Sequence, residues 1–166
     1  MQSTPQPVLR DLVLVGGGHS HVGVLRMFAM QPEPGVRLTL ICTDIDTPYS
    51  GMLPGYISGH YSFDEVHIDL GRLCAFAGAR FYRDAVVGID RQNQRVICAN
   101  RPPVAYDLLS INTGSTPKVQ NIEGAQALAT PVKPIAQFNQ RWLALLDKAR
   151  QWPSHRGRMT IAVVGG

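Results

Sequence analysis

The chain has 166 residues, 45% of them hydrophobic and 17% charged, a length and balance that suit a globular domain with a real core rather than a disordered segment. Its net charge of +4 comes from 16 basic and 12 acidic residues, and the basic ones are scattered singly, which argues against nucleic-acid binding and supports only a weak preference for anionic ligands. Cys42, Cys74 and Cys98 are odd in number and far apart, so a disulfide framework is not expected and a reduced, cytoplasmic setting fits. No apolar run reaches the ~18 residues of a membrane span. The first residues lack the apolar centre of a signal peptide.

The first element is a short apolar strand over Leu12 to Val15, unalternated as in a buried parallel sheet. Gly16, Gly17 and Gly18 form a turn, and the spacing predicts a helix over Ser20 to Met30 with Val22, Leu25, Phe28 and Ala29 inward. Val36 to Ile41 is the next strand, which completes a β-α-β unit in about thirty residues. Residues 43–61 are rich in Gly, Pro and Tyr and have no clean period, so a functional loop is expected. Ser62 and Glu65 have the spacing of a helix capping box, followed by an interrupted apolar face at Val66, Leu70, Leu73 and Cys74. Arg80 to Tyr82 is predicted to return to the sheet. Ala85 to Ile89 and Arg95 to Cys98 read as an antiparallel hairpin, and Tyr106 to Ile111 as another buried strand. Ile135, Phe138, Trp142, Leu145, Leu146 and Ala149 recur at helical spacing, with Pro134 placed for the first turn. Thr160 to Val164 is expected to be the last strand, running into Gly165 and Gly166.

A glycine turn between a buried strand and an amphipathic helix is the usual seat of a dinucleotide pyrophosphate. One glycine permits the tight turn, the next lets backbone approach the phosphates, and the helix amides and dipole face the negative charge. Gly16, Gly17 and Gly18 fit that pattern, with His19 and Ser20 beside them. The third glycine of the usual motif is replaced by His21, which implies a displaced helix or an altered phosphate contact. An acidic residue for the adenosine ribose should close the second strand. That position falls near Cys42 or Thr43, so either Thr43 or Asp44 could meet the ribose. No third ligand accompanies His19 and His21, so no metal site is assigned.

The segments LVLVGGGHSH (12–21), TPYSGMLPG (47–55), YDLLSINTGSTP (106–117) and IAVVGG (161–166) together resemble the flavin-dependent pyridine nucleotide oxidoreductases built on two dinucleotide-binding domains. The nearest resemblance is to their single-subunit NADH dehydrogenase-like branch. Residues 47–70 resemble the NADH dehydrogenase-like domain fused, in some bacteria, in front of a selenide, water dikinase; no kinase portion is present in this sequence. The resemblance implies an α/β chain: a three-layer Rossmann-like FAD-binding domain with a small antiparallel insert over residues 1–158, truncated at the start of a second dinucleotide-binding domain, with the first strand and glycine turn of an NAD(P)H-binding domain at 159–166.

It further implies FAD as cofactor, with the pyrophosphate at Gly16, Gly17, Gly18, His19 and Ser20. The flavin would lie near Ser50, Gly51, Met52, Leu53 and Pro54, adenine near Ala85 and Val86, and the closing segment would be Thr113, Gly114 and Ser115. The family usually carries alanine where this chain has Asn112, whose amide either adds a polar contact or caps the turn. NAD(P)H would be the substrate of the full-length protein, and a quinone or other small molecule the electron acceptor. No catalytic acid or base is assigned, because the cofactor performs the hydride chemistry. Lys133 could approach the flavin electrostatically or be a surface lysine at a helix start. Peripheral membrane contact of the full-length protein, and self-association through an exposed sheet edge, are left open as partners. The alternatives are a non-catalytic nucleotide-binding regulatory or scaffold module, and a simple NAD dehydrogenase that uses the first turn for NAD.

Overall fold

The structure is a computed structural model and describes residues 7–115, 122–133 and 135–164. It divides into two compact units, one up to Gly114 and one from Ser115. The first unit carries a four-stranded parallel sheet in the order β5-β2-β1-β9. Its strands are β1 (Arg10–Val15), β2 (Val36–Cys42), β5 (Arg80–Arg83) and β9 (Leu108–Ile111). Helix α1 (His19–Met30) is the crossover from β1 to β2. After β2 come β3 (Asp46–Pro48), a short 3-10 turn at Ser50–Met52, and α2 (Leu53–Ile57). Next are α3 (Phe63–Val66), β4 (His67–Asp69), which pairs antiparallel with β3, and α4 (Leu70–Phe76).

The side-chain period of a strand sorts the core into two layers. Leu14 of β1 and Leu38, Leu40 and Cys42 of β2 face one way and pack with Leu25, Leu70 and Cys74 of the helices. Val13, Val15 and Ile41 face the other way and meet Val96 and Cys98. Those last two belong to a second, antiparallel sheet of β6 (Val86–Asp90), β7 (Arg95–Cys98) and β8 (Val104–Ala105). Both faces of β1 and β2 are therefore covered, which is why their sequences read as continuous apolar runs. The helices, parallel sheet and antiparallel insert make the three-layer Rossmann-like arrangement expected from the sequence.

The capping box forms as its spacing predicts. Ser62 N donates to Glu65 Oε2 at 2.7 Å, and Glu65 N donates to Ser62 Oγ at 3.4 Å. The apolar face that follows is split, because β4 interrupts it and Asp69 then starts α4 by accepting from Arg72 N at 2.9 Å. Period alone did not reveal that break, since Val66, Leu70 and Cys74 are all buried in either arrangement.

Three expectations need correction. The insert has a third strand, β8, too short at two residues to show a pattern. β9 is not buried throughout: Leu108 is 55% and Ile111 57% exposed, because β9 is the edge of this sheet. Residues 160–164 do not form a strand, since none of the described residues pairs with them, and Val163 and Val164 are almost fully exposed. An apolar run becomes a strand only when a neighbour supplies the hydrogen bonds. Pro134, Gly165 and Gly166 lie outside the described residues.

In the second unit, α5 spans Ala125–Leu128 and α6 spans Ile135–Arg150. Phe138 of α6 is buried and Trp142, Leu145 and Leu146 are half-buried, in keeping with the apolar stripe, although Ala149 is exposed. Among the described residues no helix is long and apolar enough to cross a membrane.

Leu25 is fully buried between α1 and the sheet. Leu25→Ala is expected to cost about 2–5 kcal/mol in urea unfolding, whereas Val163→Ala should stay within about 0.5 kcal/mol.

Candidate dinucleotide site

The parallel strands end together. Val15 of β1 is in register with Ile41 of β2 and Ile111 of β9, and Cys42 with Arg83 of β5. Their exits, Gly16–Gly18, Thr43–Asp44, Asp84–Ala85 and Asn112–Gly114, therefore share the carboxyl edge of one sheet. The strand order also reverses beside β1, where chain direction takes α1 to one side and β9 lies on the other. Such a switch point is where open α/β sheets bind ligands.

Gly16 has φ +93, and a side chain there would land on the Asn112 carbonyl, 2.7 Å from its carbon and 2.8 Å from Thr113 Cα. At Gly17 a methyl group would be 2.5 Å from Leu70 Cδ1. At Gly18 it would overlap the Asn112 carboxamide. Backbone and a positive φ thus exclude a side chain at Gly16, whereas at Gly17 and Gly18 an added methyl would displace the ends of the Leu70 and Asn112 side chains. Gly16 N donates to Ile41 O at 2.8 Å, Gly18 N to Asn112 O at 3.2 Å, and Asn112 N to Val15 O at 2.8 Å, so the turn is laced to both neighbouring strands.

Gly18 also caps α1, with no side-chain cap and no acidic residue in the first turn. The opening amides of a helix have no intrahelical acceptor, and here nothing offsets the positive end of the dipole. Backbone without side chains, free amides and an uncompensated helix terminus fit a dinucleotide phosphate.

The other predicted residues fall into place unequally. The loop after β2 reaches the turn: the Tyr49 ring lies 4.8 Å from the His19 ring, next to Ser50, Gly51 and Met52. Leu53 is buried and anchors α2, while Pro54 is exposed. Thr43 and Asp44 are both exposed at the end of β2, and Thr43 Oγ1 donates to Asp44 Oδ2 at 3.2 Å. Both stand at the carboxyl end of β2, and the geometry prefers neither. Thr113 and Gly114, the latter at φ +76, follow β9. Ser115 belongs to the second unit, where its Oγ accepts from Lys133 Nζ at 3.2 Å.

Sequence reasoning singled out His21 and Asn112 without their partners and missed Asp84. His21 is buried, with Nδ1 2.7 Å from the Gly16 carbonyl and Nε2 2.9 Å from Ser110 Oγ. Asn112 packs its amide on Gly18. Asp84, directly before Ala85 and Val86, holds the return from β5 to the insert. Its carboxylate accepts from Ala85 N at 2.8 Å, Asn100 N at 3.0 Å and Asn100 Nδ2 at 3.0 Å. Burial pushes this carboxyl up, but the Asn100 and Ala85 hydrogen bonds and the Arg101 charge outweigh it and hold it below the ordinary value. An acidic residue at a predicted strand end was the available signal.

All three cysteines are buried, and burial raises each thiol, Cys74 to about 11. They are neutral near pH 7 and pack as small hydrophobic groups. A separate cavity of about 320 Å³ lies at the amino end of the same strands, lined by Asp11, Arg37, Arg80, Tyr82 and Arg101. It is remote from the glycine turn along β1, and Arg37 there is already spent on Asp11, with Nη2 2.7 Å from Oδ2.

The fold defines a Rossmann-like α/β protein with a glycine turn at the carboxyl edge of its parallel sheet. The chain belongs to the pyridine nucleotide-disulphide oxidoreductase family, whose model matches residues 10–166. It is 28% identical to the NADH dehydrogenase-like protein YutJ of Bacillus subtilis (strain 168), over 95% of this chain and 42% of that protein. Among solved structures it superposes on the sulfide:quinone oxidoreductase of Aquifex aeolicus with a TM-score of 0.67 and 20% identity, covering 86% of this chain and 33% of that one. NDH2 from Plasmodium falciparum, in complex with NADH, matches with a TM-score of 0.67 and 16% identity over 86% of this chain and 30% of that one. The chain therefore spans less than half the length of these relatives, which are oxidoreductases.

Gly16→Ala is expected to lose about 1–2 kcal/mol from the positive φ alone, and more from the overlap with Asn112. Gly23→Ala, in the middle of α1 with nothing within 4 Å of the added methyl, should gain about 0.5–1 kcal/mol. Urea midpoints of the two variants check both signs.

Asp84 generates a pH test. Its folded carboxyl lies below the ordinary value of 3.8, so its stabilising contribution is complete above that value and is lost as pH falls through the lower, folded one. Between about pH 6 and about pH 3, Asp84→Asn should lose less stability than wild type in parallel urea titrations.

Proposed function

We propose that this chain is the FAD-binding portion of an NAD(P)H-dependent oxidoreductase, which passes electrons from NAD(P)H through FAD to a quinone or another small acceptor. The observation that carries the reading is the glycine turn at the switch point, where Gly16 excludes a side chain, Gly17 and Gly18 pack closely on Leu70 and Asn112, and α1 starts without a side-chain cap. In this reading the α1 amides and the glycine backbone hold the pyrophosphate. Thr43 or Asp44 holds the adenosine ribose, and Ala85 and Val86 border the adenine. Ser50 to Pro54 and Thr113 to Ser115 border the flavin. Bound FAD supplies the hydride chemistry, and the protein supplies orientation and electrostatics.

Membership of the family and the matches to NADH dehydrogenase-like and NADH-complexed proteins support NAD(P)H as donor. The quinone rests on the sulfide:quinone oxidoreductase likeness. The same reading places the FAD-binding portion at residues 1–158 and the opening of an NAD(P)H-binding domain at 159–166. The acceptor, a peripheral membrane contact and the cytoplasmic setting are parts of this proposal.

The full-length protein is expected to carry a flavin absorption band, to release FAD on denaturation and to bleach when NADH is added. A protein that neither contains nor takes up FAD would overturn the reading. A flavin that NADH and NADPH both leave oxidised would instead favour a regulatory nucleotide-binding module.

A further inference from the structure

His21 stands where a dinucleotide turn ordinarily has its third glycine, yet its ring is 1% exposed and fully engaged. The partners determine its tautomer. A carbonyl oxygen only accepts, so Nδ1, 2.7 Å from Gly16 O, carries the proton. Nε2 is then a lone pair, and Ser110 Oγ at 2.9 Å donates to it. Ser110 sits on β9 opposite Leu14 of β1. One imidazole thus ties the glycine turn to the strand across the switch point.

The captured carbonyl has a consequence for the next amide. A peptide is planar and trans, so the Gly17 N–H points opposite to the Gly16 C=O. With the oxygen held inward by His21, the Gly17 N–H is aimed away from the ring. The other two glycine amides are already used, by Ile41 O and Asn112 O, whereas Gly17 N has no protein acceptor among the described residues. In a run of three glycines such a peptide would otherwise turn over at little cost, because glycine occupies both signs of φ.

We infer that His21 is a positioning residue: with Ser110 it locks the Gly16–Gly17 peptide in the orientation that presents the Gly17 N–H to a dinucleotide pyrophosphate. The ring replaces, by a hydrogen bond, the backbone order that a third glycine secures by close packing. The identity of the ligand rests on the flavin reading above; the orientation of the peptide does not.

The test separates the two ring nitrogens in the full-length protein. In His21→Asn the side-chain amide nitrogen falls near the place of Nδ1 and keeps the hold on Gly16. In His21→Gln it falls near Nε2 and leaves the carbonyl free, and His21→Gly restores the common motif. FAD affinity, measured by titration of the flavin fluorescence, is expected to fall about tenfold in His21→Gln and His21→Gly and by no more than about threefold in His21→Asn. A purely structural role would make affinity follow melting temperature whichever nitrogen is retained, and that result overturns the inference.

Two readouts on wild type hold even where a variant does not fold. Imidazole nitrogen NMR at about pH 8 should show an Nδ1–H ring with Nε2 unprotonated, and the Gly17 amide should shift when FAD is added. An Nε2–H ring or an unmoved Gly17 amide overturns the positioning role alone. A wild type that takes up no FAD overturns both this role and the flavin reading.

Discussion

The backbone of the first glycine turn passes so close to the end of β9 that no side chain fits between Gly16 and the Asn112 carbonyl. The arrangement of the candidate site depends on that approach. It brings the exit of β1 beside the exit of β9, where Gly16 has a positive φ. It also leaves the start of α1 facing the crevice where the strand order reverses. Were the two strand ends farther apart, the helix amides would face open solvent instead of a shaped edge, and the proposed phosphate site would lose its geometry.

The approach is stabilised from several directions. Leu70 and Cys42 fill the space under Gly17, so the helix layer supports the turn from below. Val13, Val15 and Ile41 pack against Val96 and Cys98, so the antiparallel insert supports the same strands from the other face. Asp84 then fixes where that insert leaves the sheet, through hydrogen bonds to Ala85 and Asn100. A carboxylate with this many donors remains charged, and its role is to hold backbone rather than to move protons. The buried thiols, each raised by desolvation, pack as small apolar groups.

The site also departs from the common pattern in a consistent way. His21 and Asn112 are polar where the family pattern has glycine and alanine, and with Ser110 they converge on the contact between β1's turn and β9. The extra atoms are accommodated because each reaches a specific neighbour: the Gly16 carbonyl, the imidazole and the face of Gly18. Order at this turn therefore comes from side-chain hydrogen bonding and packing as well as from glycine's freedom.

The sequence alone determined the elements whose signals are local. The apolar runs of β1 and β2, the glycine turn, the Ser62–Glu65 capping box and the hairpin around Asp90 to Gln94 were all legible, because each follows from a period or a turn chemistry within a few residues. Helix α6 was legible from its stripe for the same reason. Tertiary structure decided what depends on partners distant in the chain. His21 looked like a defect in a motif until Ser110, 89 residues on, supplied its second hydrogen bond. Thr160 to Val164 read as a strand, yet none of the described residues pairs with them, and β9 proved to be an edge rather than a buried strand. Hydrophobic period reports what a segment can bury, whereas pairing, exposure and a buried ring's tautomer are set by the neighbours that the fold brings to it.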